Sequence, residues 1–295
     1  MIESADPAGD AGHADHPPRV GFFTDTSVCI GCKACEVACK EWNQVPEDGL
    51  DFLGLSLDNT GGLSAETWRH VAFIEQRKPV ALAEPGADAG AQDGATSVPV
   101  GGDAGREGFR WLMSSDVCKH CTHAACLDVC PTGALFRSEF GTVVVQQDIC
   151  NGCGYCVPAC PYGVIDQRKE DGRVFKCTLC YDRLGEGMEP ACAKACPTNS
   201  IQFGELDELR ERAGARVEAL HEAGVAEARL YGEDPGDGVG GAGAFFLLLD
   251  EPEVYGLPPD PVVTTRDVAS MWRHAGVAAA GLLAGVALTF AGRRP

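Results

Sequence analysis

Apolar and polar positions along this chain form short runs rather than long periodic stretches, with two exceptions near the C-terminus. Residues 20–25 (VGFFTD) predict an opening strand, and residues 68–76 (WRHVAFIEQ) alternate closely enough to predict a second. Residues 109–114 predict a third. Residues 134–136 facing 142–146 (TVVVQ) predict a hairpin that turns near Phe140 and Gly141. Residues 164–167, Val174 with Phe175, and residues 201–204 repeat the short-strand pattern, and residues 245–249 (FFLLL) read as a buried strand.

The first exception is residues 205–230, where Leu206, Leu209, Val217 and Leu220 fall near one helical stripe, with Glu208 and Arg212 as an i,i+4 pair. This predicts a packing helix. The second is residues 275–291 (AGVAAAGLLAGVALTFA), an uncharged apolar run bounded by Arg273 and His274 on one side and Arg293 and Arg294 on the other. A bilayer is spanned by about 17–25 such residues. Trp272 stands where an interfacial anchor would, and Gly281 with Gly285 offers a small-residue face for packing on another membrane helix. A single C-terminal transmembrane helix is therefore expected.

Other stretches lack a core pattern. Residues 1–18 are acidic and rich in Gly, Pro and Ala, without a basic start, apolar core or twin arginine, and read as a mobile tail. Residues 84–108 are rich in Gly, Ala and Asp and read as a flexible surface insertion. Residues 231–244 form a Gly-rich loop without a Walker lysine, and residues 250–261 a Pro-rich extended segment.

The cysteines change the picture. All 16 fall in four blocks: Cys29, Cys32, Cys35, Cys39; Cys118, Cys121, Cys126, Cys130; Cys150, Cys153, Cys156, Cys160; and Cys177, Cys180, Cys192, Cys196. Four blocks of four ligands match four [4Fe–4S] cubanes with none left over. A C-x2-C-x2-C loop wraps three corners of a cubane, and the fourth corner must be reached from elsewhere. Pro131, Pro161 and Pro197 follow the last Cys of three blocks, as in two-cluster ferredoxins, whereas Lys40 follows Cys39. A disulfide framework suits shorter secreted chains than these 295 residues, and three ligands in one such run crowd a zinc tetrahedron. Cluster loop, short helix and short hairpin, repeated, give an α+β fold of ferredoxin-like units.

A formal net charge of −19 argues against nucleic acid as a partner, because phosphate binding needs a basic surface. No nucleophile elbow or zincin motif occurs, so no catalytic residues are assigned. Lys33, Lys119, His120, His123, Lys176 and Arg183 lie close to cysteines in sequence and are candidates for raising a cluster potential.

Residues 29–46 (CIGCKACEVACKEWNQVP), 118–133 (CKHCTHAACLDVCPTG), 150–163 (CNGCGYCVPACPYG) and 175–200 (FKCTLCYDRLGEGMEPACAKACPTNS) resemble the four cluster blocks of the iron–sulfur (beta) subunit of membrane-bound formate dehydrogenase. Tyr255-Gly256-Leu257-Pro258 and the single terminal helix fit as well. The resemblance covers about residues 20–292, apart from the insertion.

The resemblance implies two interleaved ferredoxin-like dicluster domains, one of residues 20–110 with 166–205 and one of residues 111–165, then a cover of residues 206–261 and an anchor of residues 262–295. It implies these ligand sets: Cys29, Cys32, Cys35 with Cys196; Cys177, Cys180, Cys192 with Cys39; Cys118, Cys121, Cys126 with Cys160; and Cys150, Cys153, Cys156 with Cys130. The first two sets would lie toward a molybdenum or tungsten pterin catalytic subunit, the last two toward a membrane cytochrome b. The chain itself would be non-catalytic, passing electrons from formate to quinone in anaerobic respiration. The cluster domains would lie on the outer face of the cell membrane, exported with the catalytic partner. Three alternatives remain open from sequence: the electron-transfer subunit of a membrane-bound hydrogenase, that of a polysulfide or dimethyl-sulfoxide-type reductase, and a soluble carrier.

Overall fold

The computed structural model describes residues 6–49, 54, 57–58, 60–77 and 109–291. The expected insertion at 84–108, with Arg293 and Arg294, lies outside the described residues. In chain order the elements begin with α1 (Pro7–Asp10), β1 (Val20–Asp25), α2 (Ala34–Asn43), β2 (Arg69–Arg77) and β3 (Phe109–Val117). The middle holds α3 (Ala125–Asp128), β4 (Leu135–Arg137), β5 (Val143–Val145), α4 (Cys156–Ala159), β6 (Asp166–Gln167) and β7 (Val174–Phe175). Then come α5 (Tyr181–Gly185), α6 (Ala191–Lys194), β8 (Ile201–Glu205), α7 (Leu206–Glu222), β9 (Arg229–Tyr231), β10 (Ala244–Leu248) and α8 (Val268–Ala291).

One four-stranded sheet, ordered β8-β1-β10-β9, organises the body. β1 runs parallel to β10 and antiparallel to β8. Side chains alternate across a strand, so neighbours Phe22 and Phe23 face opposite ways. Phe23, stacked on Phe245 with ring centroids 5.3 Å apart, packs against Leu206, Leu209 and Ala213 of α7. Phe22 packs in a core that contains Cys35, Cys118, Cys177 and Cys192. The sheet thus separates a helix-covered face from a cysteine-lined face. β2 and β3 form a long antiparallel ladder from Arg69↔Val117 to Arg77↔Phe109. The expected hairpins are present as β4–β5 and β6–β7.

Three expectations need correction. The helix expected over 205–230 stops at Glu222. Gly224 (φ +87°) turns the chain, with Gly224 N–H on His221 O and Val225 N–H on Leu220 O, a Schellman stop. Arg229–Tyr231 then pairs with β10 instead of continuing the helix. Arg212 donates to Gln202 Oε1 at 2.9 Å rather than pairing with Glu208, because α7 lies on the sheet and brings β8 within reach. The segment expected as a mobile tail is laid against the body from Asp6 onward: Ala8 is buried, and the His13 ring bonds Arg137 O at 3.0 Å.

α8 begins before the expected run. Its stretch Ser270–Ala291 has 22 residues and a mean hydropathy of 1.7, and none of it is buried. At 1.5 Å per residue this covers about 33 Å, long enough for a hydrocarbon core of about 30 Å.

Candidate iron–sulfur centres

All sixteen cysteines are free thiols. The fold brings cysteines of different blocks together in four groups. Cys29, Cys32, Cys35 and Cys196 line one cavity, closed by Val71, Ser115 and Ile201. At a second site burial pushes the Cys39 thiol well up, helped by the neighbouring thiols of Cys177, Cys192 and Cys180. Cys118, Cys121, Cys126 and Cys160 line a third cavity, walled by Val143, Val164 and Ile165. At the fourth, burial pushes Cys156 up to about 11, and Cys153, Cys130 and Cys150 add to it.

The sites follow one another. Among the groups acting on Cys35, of the first site, is the thiol of Cys192 in the second. After burial, the largest influence on Cys177 is the thiol of Cys118 in the third site. Cys126, pushed up to about 12 by burial, also feels Cys156 of the fourth. These influences link the first group to the second, the second to the third and the third to the fourth.

The loops share a backbone device. The residue before the second Cys of each block has a left-handed φ: Gly31 (+64°), His120 (+46°), Gly152 (+71°) and Leu179 (+58°). Such strain is stored where a loop must curl tightly around a group. Glycine is required at the first and third of these, since a Cβ on Gly31 would stand 2.6 Å from the Phe73 ring and one on Gly152 2.6 Å from Gly172 O. At Leu179 the curl brings the backbone N–H to Cys177 Sγ at 3.3 Å.

A second device follows the last Cys of three blocks. Gly133, Gly163 and Asn199 are left-handed, and their N–H groups close turns on Cys130 O, Cys160 O and Cys196 O. The intervening proline ends each short helix. Cys39 lacks that proline, and α2 continues past it to Asn43. Burial raises the Cys130 thiol, but the Leu135 N–H and the Thr132 hydroxyl outweigh it and hold the thiol below its ordinary value.

These donor sets fit cubanes. Thiols from two blocks line the first and third cavities, and no three His, Cys, Asp or Glu among the described residues converge on a single ion. That spacing suits a group with iron at several corners rather than one zinc.

The charged neighbours expected from sequence divide in two. His120 and Lys176 face the thiols of the third site. His120 Nδ1 accepts the Val143 N–H at 3.1 Å, which leaves the proton on Nε2. Burial, with the charges of Lys176, Arg137, Arg19 and Arg69, holds its pKa well down, so the ring is neutral. Lys176 donates to Val143 O and Cys177 O. Lys33 and Lys119 also line the first and third cavities, but their charges are paired, Lys33 with Glu36 and Asp58 and Lys119 with Asp116. Arg183 stacks on Trp42 at 4.2 Å, yet its charge still acts on Cys180. The His123 side chain lies against Gly240, and no bond ties its ring to a thiol.

Three residues escaped the sequence reading: Arg69, Ser115 and Asn43. Ser115 Oγ lies 3.2 Å from Cys35 Sγ, and Asn43 Nδ2 reaches Cys39 Sγ at 3.7 Å. Arg69 carried a signal, since it shares its face of β2 with the buried Val71.

Two family models, each described as a 4Fe-4S dicluster domain, match residues 28–134 and 109–206. The chain is 39% identical over 284 residues to the iron–sulfur subunit of the nitrate-inducible formate dehydrogenase of Escherichia coli, covering 94% of this chain and 84% of that one. It is 38% identical over 278 residues to the formate dehydrogenase iron–sulfur subunit of Haemophilus influenzae, covering 91% and 78%. A subunit of the anaerobic dimethyl sulfoxide reductase of Escherichia coli matches at 36% over 196 residues, covering 66% of this chain and 78% of that one. The chain belongs to the family of formate dehydrogenase iron–sulfur subunits, non-catalytic chains that transfer electrons, and it carries four [4Fe–4S] clusters.

Proposed function

We propose that this chain conducts electrons from a formate-oxidising molybdenum or tungsten pterin subunit to a membrane cytochrome b and quinone, through the four sites in their spatial order. The ligands are Cys29, Cys32, Cys35 and Cys196; Cys39, Cys177, Cys180 and Cys192; Cys118, Cys121, Cys126 and Cys160; and Cys130, Cys150, Cys153 and Cys156. The cluster-bearing units divide as residues 20–110 with 166–205, and residues 111–165. Each bound cubane takes up and returns one electron at a time.

The observation that carries this reading is the pattern of exposure along the row of sites. Cys32 of the first site and Cys153 of the fourth are exposed, whereas all four cysteines of the second are buried. Exposed Ile30 and Val37 flank the first site, and exposed Ile149 and Tyr155 flank the fourth. Two apolar-rimmed ends joined by a buried middle suit a conductor between two partners.

The anchor supports the direction. Thr265 Oγ1 donates to Asp128 Oδ2 at 2.5 Å, and Val263 packs with Ala125 and Ala159 of the second and third blocks. Three residues after Thr265, α8 starts. The third and fourth sites therefore stand on the side of the chain where the membrane helix is rooted, and the first faces the catalytic subunit. In this reading α8 spans the bilayer beside the cytochrome, with the cluster domains on the outer face. The match to formate dehydrogenase subunits over 94% of the chain, against 66% for the sulfoxide reductase subunit, favours formate.

Anaerobic affinity purification through this chain tests the partnership. Recovery of molybdenum or tungsten with a pterin and a haem b supports it; recovery of a nickel–iron subunit instead overturns it.

A further inference from the structure

Arg69 is among the most deeply buried side chains, 2% exposed, and is charged at every accessible pH. Its Nη1 donates to Ser115 O at 3.2 Å and Ser115 Oγ at 3.0 Å. Nε and Nη2 have no oxygen or nitrogen partner, and the guanidinium lies within hydrogen-bonding reach of the Cys192 thiol. The guanidinium lies over the Phe22 ring, 4.9 Å from its centroid. A buried charge with two free N–H groups is costly unless something nearby carries opposite charge. No carboxylate pairs with it among the described residues; the groups around it are thiols. Its charge acts on Cys35 of the first site and on Cys39, Cys177 and Cys192 of the second.

We infer that Arg69 is the shared counter-charge of the first and second clusters: its free Nε–H and Nη2–H are donated toward their sulfurs, and it raises both potentials together. This rests on the ligand sets proposed above. A cluster with four thiolates is anionic, and reduction adds another negative charge, so a fixed cation favours the reduced form. The position between two sites means one side chain acts on both. Ser115 fixes the guanidinium through Nη1 and touches Cys35 in turn, while Nε and Nη2 are left to the thiols. Arg69 is thus a positioning and tuning residue for electron transfer.

The test is an EPR-monitored potentiometric titration of the purified native complex carrying Arg69→Gln or Arg69→Lys. In the Gln variant the reduced-to-oxidised ratio of the first and second clusters should fall at least tenfold at the native midpoint, which is about 59 mV for one electron. The third and fourth should stay within twofold of their native ratios. The Lys variant keeps the charge, and its first two clusters should fall less than threefold. Unmoved potentials in the Gln variant, or equal movement of all four, would overturn the inference. If the Gln variant fails to assemble those clusters, Arg69→Met, equally uncharged, decides on the same tenfold threshold. Loss of both clusters from both uncharged variants also overturns it, since a structural role then suffices. Should the native complex itself show fewer than four cubane signals, the ligand sets fail instead.

Discussion

The side-chain amide of Asn43 lies 3.8 Å from the thiol of Cys180, joining residues 137 positions apart. The same amide reaches Cys39 Sγ and is held by Cys39 O at 2.9 Å. Asn43 is the last residue of α2, which reaches it because no proline follows Cys39. The one departure from the Cys-Pro pattern therefore supplies the second site with an extra N–H donor.

Asn43→Leu should lower the potential of the cluster held by Cys39, Cys177, Cys180 and Cys192. A hydrogen bond contributes about 0.5–1.5 kcal/mol, so its reduced-to-oxidised ratio should fall roughly twofold to tenfold. EPR-monitored titration checks this. A downward shift confined to another cluster would place the donor elsewhere.

Cys153→Ser should damage the fourth cluster alone. Cys153 is exposed and lies with Cys130, Cys150 and Cys156. Iron content should fall by about a quarter at most, with three cubane signals retained. Unchanged iron and four unchanged signals would show that the ligand set is wrong.

Phe22 and Phe23 make a paired prediction about stability. Phe23→Ala empties the helix-facing side of the sheet and should cost about 3–5 kcal/mol. It should lower the thermal midpoint of the complex without moving any cluster potential. Phe22→Ala, on the cysteine side beneath Arg69, should do both. Identical effects from the two would contradict the alternation of β1.

Sequence made the chemistry legible because cubane ligation is written in local spacing. The four blocks, the Cys-Pro turns and the short strands all depend on residues close together in the chain. The apolar anchor was legible for the same reason, as length and composition define it. What escaped depends on distant contacts. Gly214 lies inside α7 and does not stop it, since the adjacent Ala213 is buried against the sheet and Arg216 bonds Asp25 Oδ2 at 3.0 Å. Gly224 stops the same helix, where β9 must leave to pair with β10. The acidic N-terminal segment looked mobile because nothing in its composition shows that the body offers Ala8 a pocket and His13 a carbonyl. Arg69 was hidden in a strand, and its meaning comes only from the ladder that sets it beside Ser115 and between two thiol groups.

The central claim is that formate supplies the electrons this chain conducts. The direct test is anaerobic EPR on the detergent-purified native complex, with formate added to one sample and hydrogen to another. Several reduced cubane signals should appear rapidly with formate and none with hydrogen. Reduction by hydrogen alone would contradict the claim and assign the chain to a hydrogenase, with its row of four clusters intact.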